Sequence, residues 1–321
     1  MIIEHRASII LFNVLSNLKD KHKPFLLPAN VCPIVPLTYL KAGVPFEFID
    51  IDTDTLCLNE QIAITKLATN AYGGIHYVRT FGTENNPYNF FARAKSLILD
   101  LFVIDDKCLN IPEFRITGLP KNIDLEIFST GYSKYVDIGW GSFGYLQPQY
   151  AYQRRQLPYK LNDLEKLTVS IKKSLEENKV YSYKDTDWLG DTSFSNNPME
   201  YQQLIESQVD SIRKHKSAIN ALYADELPKE IQLPLDFQNW RFNIRVPRRK
   251  ELLENIFAAG LFASAHYSSV AQLFGQPKAL YAEKDNVDIL NLFNDFRFDA
   301  DKANRTVALI RKHLMEQDNL C

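Results

Sequence analysis

The stretch KPFLLPANVCPIVPLTYLKAGVPFEFID, Lys23 to Asp50, decides the fold. KPFLLP is a short apolar run closed by Pro28, which reads as a buried strand. IVPLTYLKAG, Ile34 to Gly43, reads as a helix stopped by its glycine. PFEFID, Pro45 to Asp50, alternates like a second strand.

The same alternation continues on either side. Upstream, Ser8 to Leu18 carries apolar residues at 9, 10, 11, 14, 15 and 18, which is helical spacing. Downstream, GGIHYVRTFG (73–82) reads as a strand with glycine at both ends. SLILDLFVIDD (96–106) is an apolar run ending in two carboxylates, and IDLEIFST (123–130) and SFGYL (142–146) read as strands. Strands interleaved with helices predict an α/β fold, a mostly parallel sheet sandwiched by helices. Such sheets bind ligands beyond the carboxyl ends of their strands, where Asp105 and Asp106 fall.

The second half changes character. LNDLEKLTVSIKKSLEENK (161–179) is a charged amphipathic helix, and the long helical pattern 201–227 reads as a connector. A strand at NWRFNIRVP (239–247), a helix at RKELLENIFAAG (249–260) and a terminal helix at ANRTVALIRKHLMEQ (303–317) follow. These divide the chain into a large domain, 1–199, and a connector with a smaller C-terminal α+β domain, 200–321.

Bulk properties exclude several classes. The 321 residues are 45% apolar and 24% charged, with net charge −2 and pI near 6.3. No basic surplus points to nucleic acid. No run approaches the roughly 18 apolar residues of a membrane span. The N-terminus lacks a basic region, an apolar core and a cleavage site, so a cytoplasmic protein is expected. Cys32, Cys57, Cys108 and Cys321 are scattered, which predicts free thiols with no metal site.

Some motif matches fail on context. Gly139, Gly141 and Gly144 spell G-x-G-x-x-G, but the pattern runs into YLQPQY, where no helix opens. DIDTDT (50–55) resembles the start of a calcium loop, yet Thr55 and Gln61 stand where glycine and glutamate are needed. It reads as a strand end and a polar turn.

STGYSKYVDIGWGSFGYL, Ser129 to Leu146, holds a single lysine in a glycine-lined turn. A lysine amine that is held in place and partly desolvated forms Schiff bases with carbonyls, including the aldehyde of pyridoxal phosphate. That cofactor needs a carboxylate at its ring nitrogen, hydroxyls and amides at its phosphate, and a face for its ring. Asp106, 28 residues before Lys134, is a candidate for the first. Ser129 and the first turn of the opening helix, around Arg6 to Ser8, are candidates for the second. Taken singly, Lys134 reads as a solvated loop lysine and Asp106 as a turn carboxylate; their order on this alternating pattern favours the cofactor.

These segments resemble the DegT/DnrJ/EryC1/StrS aminotransferases, fold-type-I pyridoxal phosphate enzymes acting largely on nucleotide-linked keto sugars. The likeness lies in FLLPANVCPIVPLTYLKAGVPFEFIDIDTDTLCLN (25–59), VIDDKCLN (103–110), the lysine turn and AAGLFASAHYSSV (258–270), and spans Arg6 to Arg311. It implies that Lys134 carries the cofactor and moves the proton, that Asp106 partners the ring nitrogen, and that Ser129 binds phosphate. It places Arg6 and Ala7 near the phosphate turn and Cys32 against the ring. It further implies an amino acid donor, a nucleotide-linked keto sugar acceptor in surface polysaccharide synthesis, and a homodimer.

The chain departs from the family pattern at four places. Leu109 stands where Gln or His is usual, and Trp140 and Ser142 replace residues of a GEGG turn. Leu189 to Met199 stands where GxNxRM is expected. These departures keep open a fold-type-I enzyme with another substrate, or a catalytically weak relative kept for binding or assembly.

Overall fold

The computed structural model describes residues 1–190 and 197–318. In chain order the large unit comprises β1 (Ile2–Glu4), α1 (Ala7–Ser16), β2 (Phe25–Pro28), α2 (Ile34–Ala42), β3 (Phe46–Ile49), α3 (Glu60–Leu67), β4 (Gly74–Val78), α4 (Tyr88–Leu97), β5 (Phe102–Asp106), β6 (Leu125–Ser129), β7 (Ser142–Leu146) and α5 (Leu161–Glu176). The connector α6 (Pro198–Glu226) leads to β8 (Phe242–Arg245), α7 (Arg249–Ala258), β9 (Ala263–Ser264), α8 (Leu280–Asp288), β10 (Ile289–Leu292) and α9 (Ala300–Asp318).

The seven-stranded sheet has the order β1-β7-β6-β5-β4-β2-β3. Pairings from β6 through β3 are parallel, while β7 is antiparallel to both β6 and β1. Side chains alternate across a strand, so residue parity decides which face each one enters. Phe25, Leu27, Phe102, Ile104, Leu125 and Ile127 pack with α1 and α2. Leu26, Ile75, Tyr77 and Val103 pack with α3 and α4 on the other face. Both faces are dry, which explains why these strands read as apolar runs.

Local signals set the helix ends. Gly43 closes α2 at φ +69°, and the Asn59 side chain caps α3 by accepting from the Ile62 amide at 3.0 Å. Asn197 caps α6 in the same way, with Pro198 at its first position. Across its 29 residues α6 spans about 44 Å.

The structure also adds elements that local pattern did not reveal. β1 is three residues long, too short for a period to register. The run from Ser96 is divided: Ser96 and Leu97 end α4, and the strand begins at Phe102. The glycine pattern runs into β7, and Gly144 lies inside that strand, where a Cβ would sit 2.7 Å from the Glu126 carbonyl. In DIDTDT, Asp52 accepts the amides of Asp54 and Thr55, and Asp50 accepts those of Tyr281 and Ala282 at the start of α8.

The small unit is a three-stranded antiparallel sheet, β8-β10-β9, with its own core against α6, α7 and α9. Part of it packs back onto the large unit. Val270, Ala271, Leu273, Ala279 and Ala282 belong to the large core, and the Val270 amide donates to the Ala29 carbonyl at 2.8 Å. Division of the chain near residue 200 therefore marks a change of architecture, while packing crosses it. Among the described residues no helix is long and apolar enough to cross a membrane.

Candidate active site

β4, β5 and β6 run parallel and end at one edge of the sheet. Asp106 shares the parity of Phe102 and Ile104, and Ser129 shares that of Leu125 and Ile127. Both therefore enter the α1 face at that edge. Asp105 has the opposite parity, and Arg79 clasps it through Nε and a terminal nitrogen at 2.7 and 2.8 Å. The two carboxylates at the end of β5 thus have separate partners.

α1 reaches the same edge by register. Ser142 of β7 stands opposite both Ser129 and Glu4, so β1 and β6 end side by side. The chain then turns at Arg6 into α1. Among the described residues no side chain caps this helix start, whose first amides lie at the edge with the positive end of the helix dipole.

A cavity of about 400 Å³ lies there. Lys134, Asp106, Ser129, Arg6, Ala7 and Cys32 all line it, as does Leu109. Six residues spread over 128 positions of sequence are brought to one space. His5, Ser8, Cys108, Trp140 and Tyr267 complete much of its wall.

Asp106 is built as an anion. Its Oδ2 lies 3.1 Å from His76 Nε2, and its Oδ1 accepts the Cys108 amide at 2.9 Å. Because the carboxylate accepts, Nε2 carries the proton. His76 Nδ1 then accepts from the Tyr39 hydroxyl, 3.2 Å away. Burial pushes the Asp106 carboxyl up, but the hydrogen bond from His76 and the Cys108 contacts outweigh it, and the net direction is down. Burial, aided by the Asp106 charge, pushes the Tyr39 phenol well up, which keeps its hydroxyl a donor.

Much of the remaining wall is uncharged, with Arg6 and Arg79 as its further cationic residues. Burial raises the Cys32 thiol against the pull of Lys134, and it raises Cys108 and Tyr267 well above their usual ranges. Behind Tyr267, partly buried His266, desolvated and beside Arg241 and Lys134, is pushed down to about 4 and stays uncharged near neutrality. Its ring stacks on Tyr267 at 4.8 Å.

Lys134 is half-buried in the turn between β6 and β7. Glycine is required at one corner of that turn: Gly141 has φ +95°, and a Cβ there would lie 2.8 Å from Thr130 Oγ1 and from the Tyr201 ring. Trp140 replaces an acidic residue of the resembling family and stacks near His5, with ring centroids 6.4 Å apart. Arg6 turns aside, its guanidinium donating to the Tyr159 hydroxyl at 3.1 Å over that ring.

Sequence reasoning missed His76. The available signal was a lone imidazole in an otherwise apolar strand beside the strand that ends in Asp106. Residues 191–196, most of the segment standing for GxNxRM, lie outside the described residues.

Compared by sequence, the chain matches no described protein family and no curated protein. Compared by structure, it is similar to a DegT DnrJ EryC1 StrS aminotransferase from Brucella abortus, at 15% identity over 97% of this chain and 85% of that one, with TM-score 0.67. A sugar aminotransferase, CalS13, from Micromonospora echinospora superposes at 17% identity over 97% and 86%, with TM-score 0.68. PseC of Helicobacter pylori, an aminotransferase of pseudoaminic acid biosynthesis, does so at 14% over 97% and 85%, also with TM-score 0.68. The chain has the fold-type-I architecture. At these identities the likeness establishes the fold, and the chemistry rests on the cavity.

Proposed function

We propose that the chain is a pyridoxal phosphate-dependent aminotransferase. One observation carries this reading: an amine, a buried carboxylate held ionised, a serine hydroxyl and a helix N-terminus converge on a single cavity. That donor set fits the cofactor's aldehyde, ring nitrogen and phosphate in turn. When bound, pyridoxal phosphate supplies an electron sink for the carbon that gains or loses a proton.

The chain's own residues do the rest. Lys134 Nζ would hold the cofactor at its aldehyde and would serve as the base that accepts and returns the proton. Asp106 holds the ring nitrogen through its ionised carboxylate, with His76 keeping that charge in place. The first amides of α1 and the Ser129 hydroxyl hold the phosphate. Cys32 would pack against the ring, beside the uncharged thiol of Cys108 and phenol of Tyr267.

The resemblance and the named neighbours support an amino acid donor, taken as glutamate, and a nucleotide-linked keto sugar acceptor. From the resemblance alone we further take the protein to be a homodimer serving surface polysaccharide synthesis, in the cytoplasm expected from the sequence. Titration of the purified protein with pyridoxal phosphate should produce a visible absorbance band that Lys134→Ala lacks and that glutamate bleaches. No band with the wild-type chain would refute the reading; a band untouched by every amino acid tried would refute amino transfer.

A further inference from the structure

Ser133, immediately before Lys134, has φ +61°. A non-glycine residue holds this conformation at a cost of about 1 kcal/mol or more, and it persists where the surroundings impose it. Here every polar group of Ser133 is engaged. Its amide donates to Asp137 Oδ2 at 2.7 Å. Its carbonyl accepts the Trp240 indole N–H at 2.7 Å, and its hydroxyl accepts Arg241 at 3.0 Å. Arg297 donates to the same Asp137 oxygen at 2.7 Å.

Three of these four bonds originate in the C-terminal half, from residues at the start of β8 and after β10. Their donors are themselves fixed. The Arg241 guanidinium lies between the Trp240 and Phe293 rings, 4.4 and 3.6 Å from their centroids, and its other arm reaches Ser264. Trp240 stacks on Phe81 with the ring planes 4° apart, and Lys216 of α6 holds its carbonyl at 2.7 Å. None of these donors lines the cavity beside Lys134.

We propose that Trp240 and Arg241 are positioning residues for Lys134: the small unit clamps Ser133 in its left-handed conformation and thereby aims the neighbouring amine into the cavity. The inference rests on the cofactor reading for its meaning and is tested apart from it. Acetic anhydride labelling of the cofactor-free protein, read by peptide mass spectrometry across pH, reports the reactivity of Lys134 against all other lysines. Trp240→Phe keeps the ring packing and removes the indole donor; Ser133→Ala removes the acceptor of Arg241.

With the clamp released, Lys134 should label roughly three- to tenfold faster in each variant, the range expected for losing one hydrogen bond. Capture of pyridoxal phosphate, followed by absorbance, should slow by a similar factor while other lysines label as before. Unchanged Lys134 labelling in folded Trp240→Phe overturns the proposal. Should that variant fail to fold, Ser133→Ala decides by the same readouts. Absence of capture even in the wild type refutes the cofactor reading, and labelling then still judges the clamp.

Discussion

Lys216, beneath the lysine turn, makes folding stability depend on pH in a calculable way. Its side chain is 3% exposed, and its ammonium donates to the Trp240 carbonyl at 2.7 Å and to Asn294 Oδ1 at 2.8 Å. The Tyr135 ring lies 5.1 Å away. Burial lowers this amine from 10.5 to about 7; Asp295 and Asp137 pull it up and Arg241 pushes it down, without reversing the direction. In the unfolded chain the amine titrates near its ordinary value. Between the two values the unfolded state therefore holds a proton that the folded state releases. Stability falls by about 1.4 kcal/mol for each pH unit as pH drops through that window, and by about 5 kcal/mol in all below it. Lys216→Met removes this titration and strands two buried acceptors, at about 1–3 kcal/mol each. Near neutrality the two effects offset, so a single stability value is uninformative. The slope is the discriminating quantity. From about pH 7 to pH 9.5 the wild type should gain about 3 kcal/mol relative to Lys216→Met, because titrations common to both proteins cancel. Urea unfolding with equal m-values measures it. Parallel stability curves over that range would refute the assignment of a depressed lysine.

Three further outcomes follow from the cavity. Gly141→Ala adds a Cβ 2.8 Å from Thr130 Oγ1 at φ +95°, whereas Gly139→Ala meets open space at φ +81°. Thermal melts should show a loss of roughly 2–3 kcal/mol for the first and about 1 kcal/mol for the second; equal losses would mean that the crowding at Gly141 is unimportant. Asp106→Asn removes a charge-assisted contact, so retention of pyridoxal phosphate on dialysis should weaken at least tenfold. Since the Asp106 carboxyl is held below its usual range, its contribution to stability is full above that range and is lost as pH falls through the folded value. The stability difference from Asp106→Asn should close under acid, and a constant gap would contradict a depressed carboxyl.

The legible part of the sequence was the part governed by short-range rules. Apolar runs bounded by proline and glycine placed β2, α2, β3, β6 and β7, because a strand dry on both faces and a helix stopped by glycine leave local signatures. Lys134, Asp106 and Ser129 could be singled out because each lies just at or past a strand end. What stayed hidden depends on register. β1 has three residues and is held by its pairing with β7 and by Tyr152 and Arg154 on Glu4. His76 acquires meaning only when β4 lies beside β5. The Trp240 and Arg241 contacts to Ser133 link positions more than a hundred residues apart. No periodicity encodes them.

The site has two mechanical origins, and they are unequal. Asp106, His76, Ser129 and the start of α1 are placed by strand parity and register in a sheet with dry faces, so displacing any of them means disrupting the core. Lys134 sits in a turn fixed on one side by Tyr135 and Val136, which are buried with Phe128 and Phe143, and on the other by hydrogen bonds to Ser133. Its preceding residue adopts a disfavoured φ, and most of the bonds that hold it come from the other unit. The carboxylate and the helix start thus rest on the sheet, while the turn that carries Lys134 is held by residues from both halves of the chain.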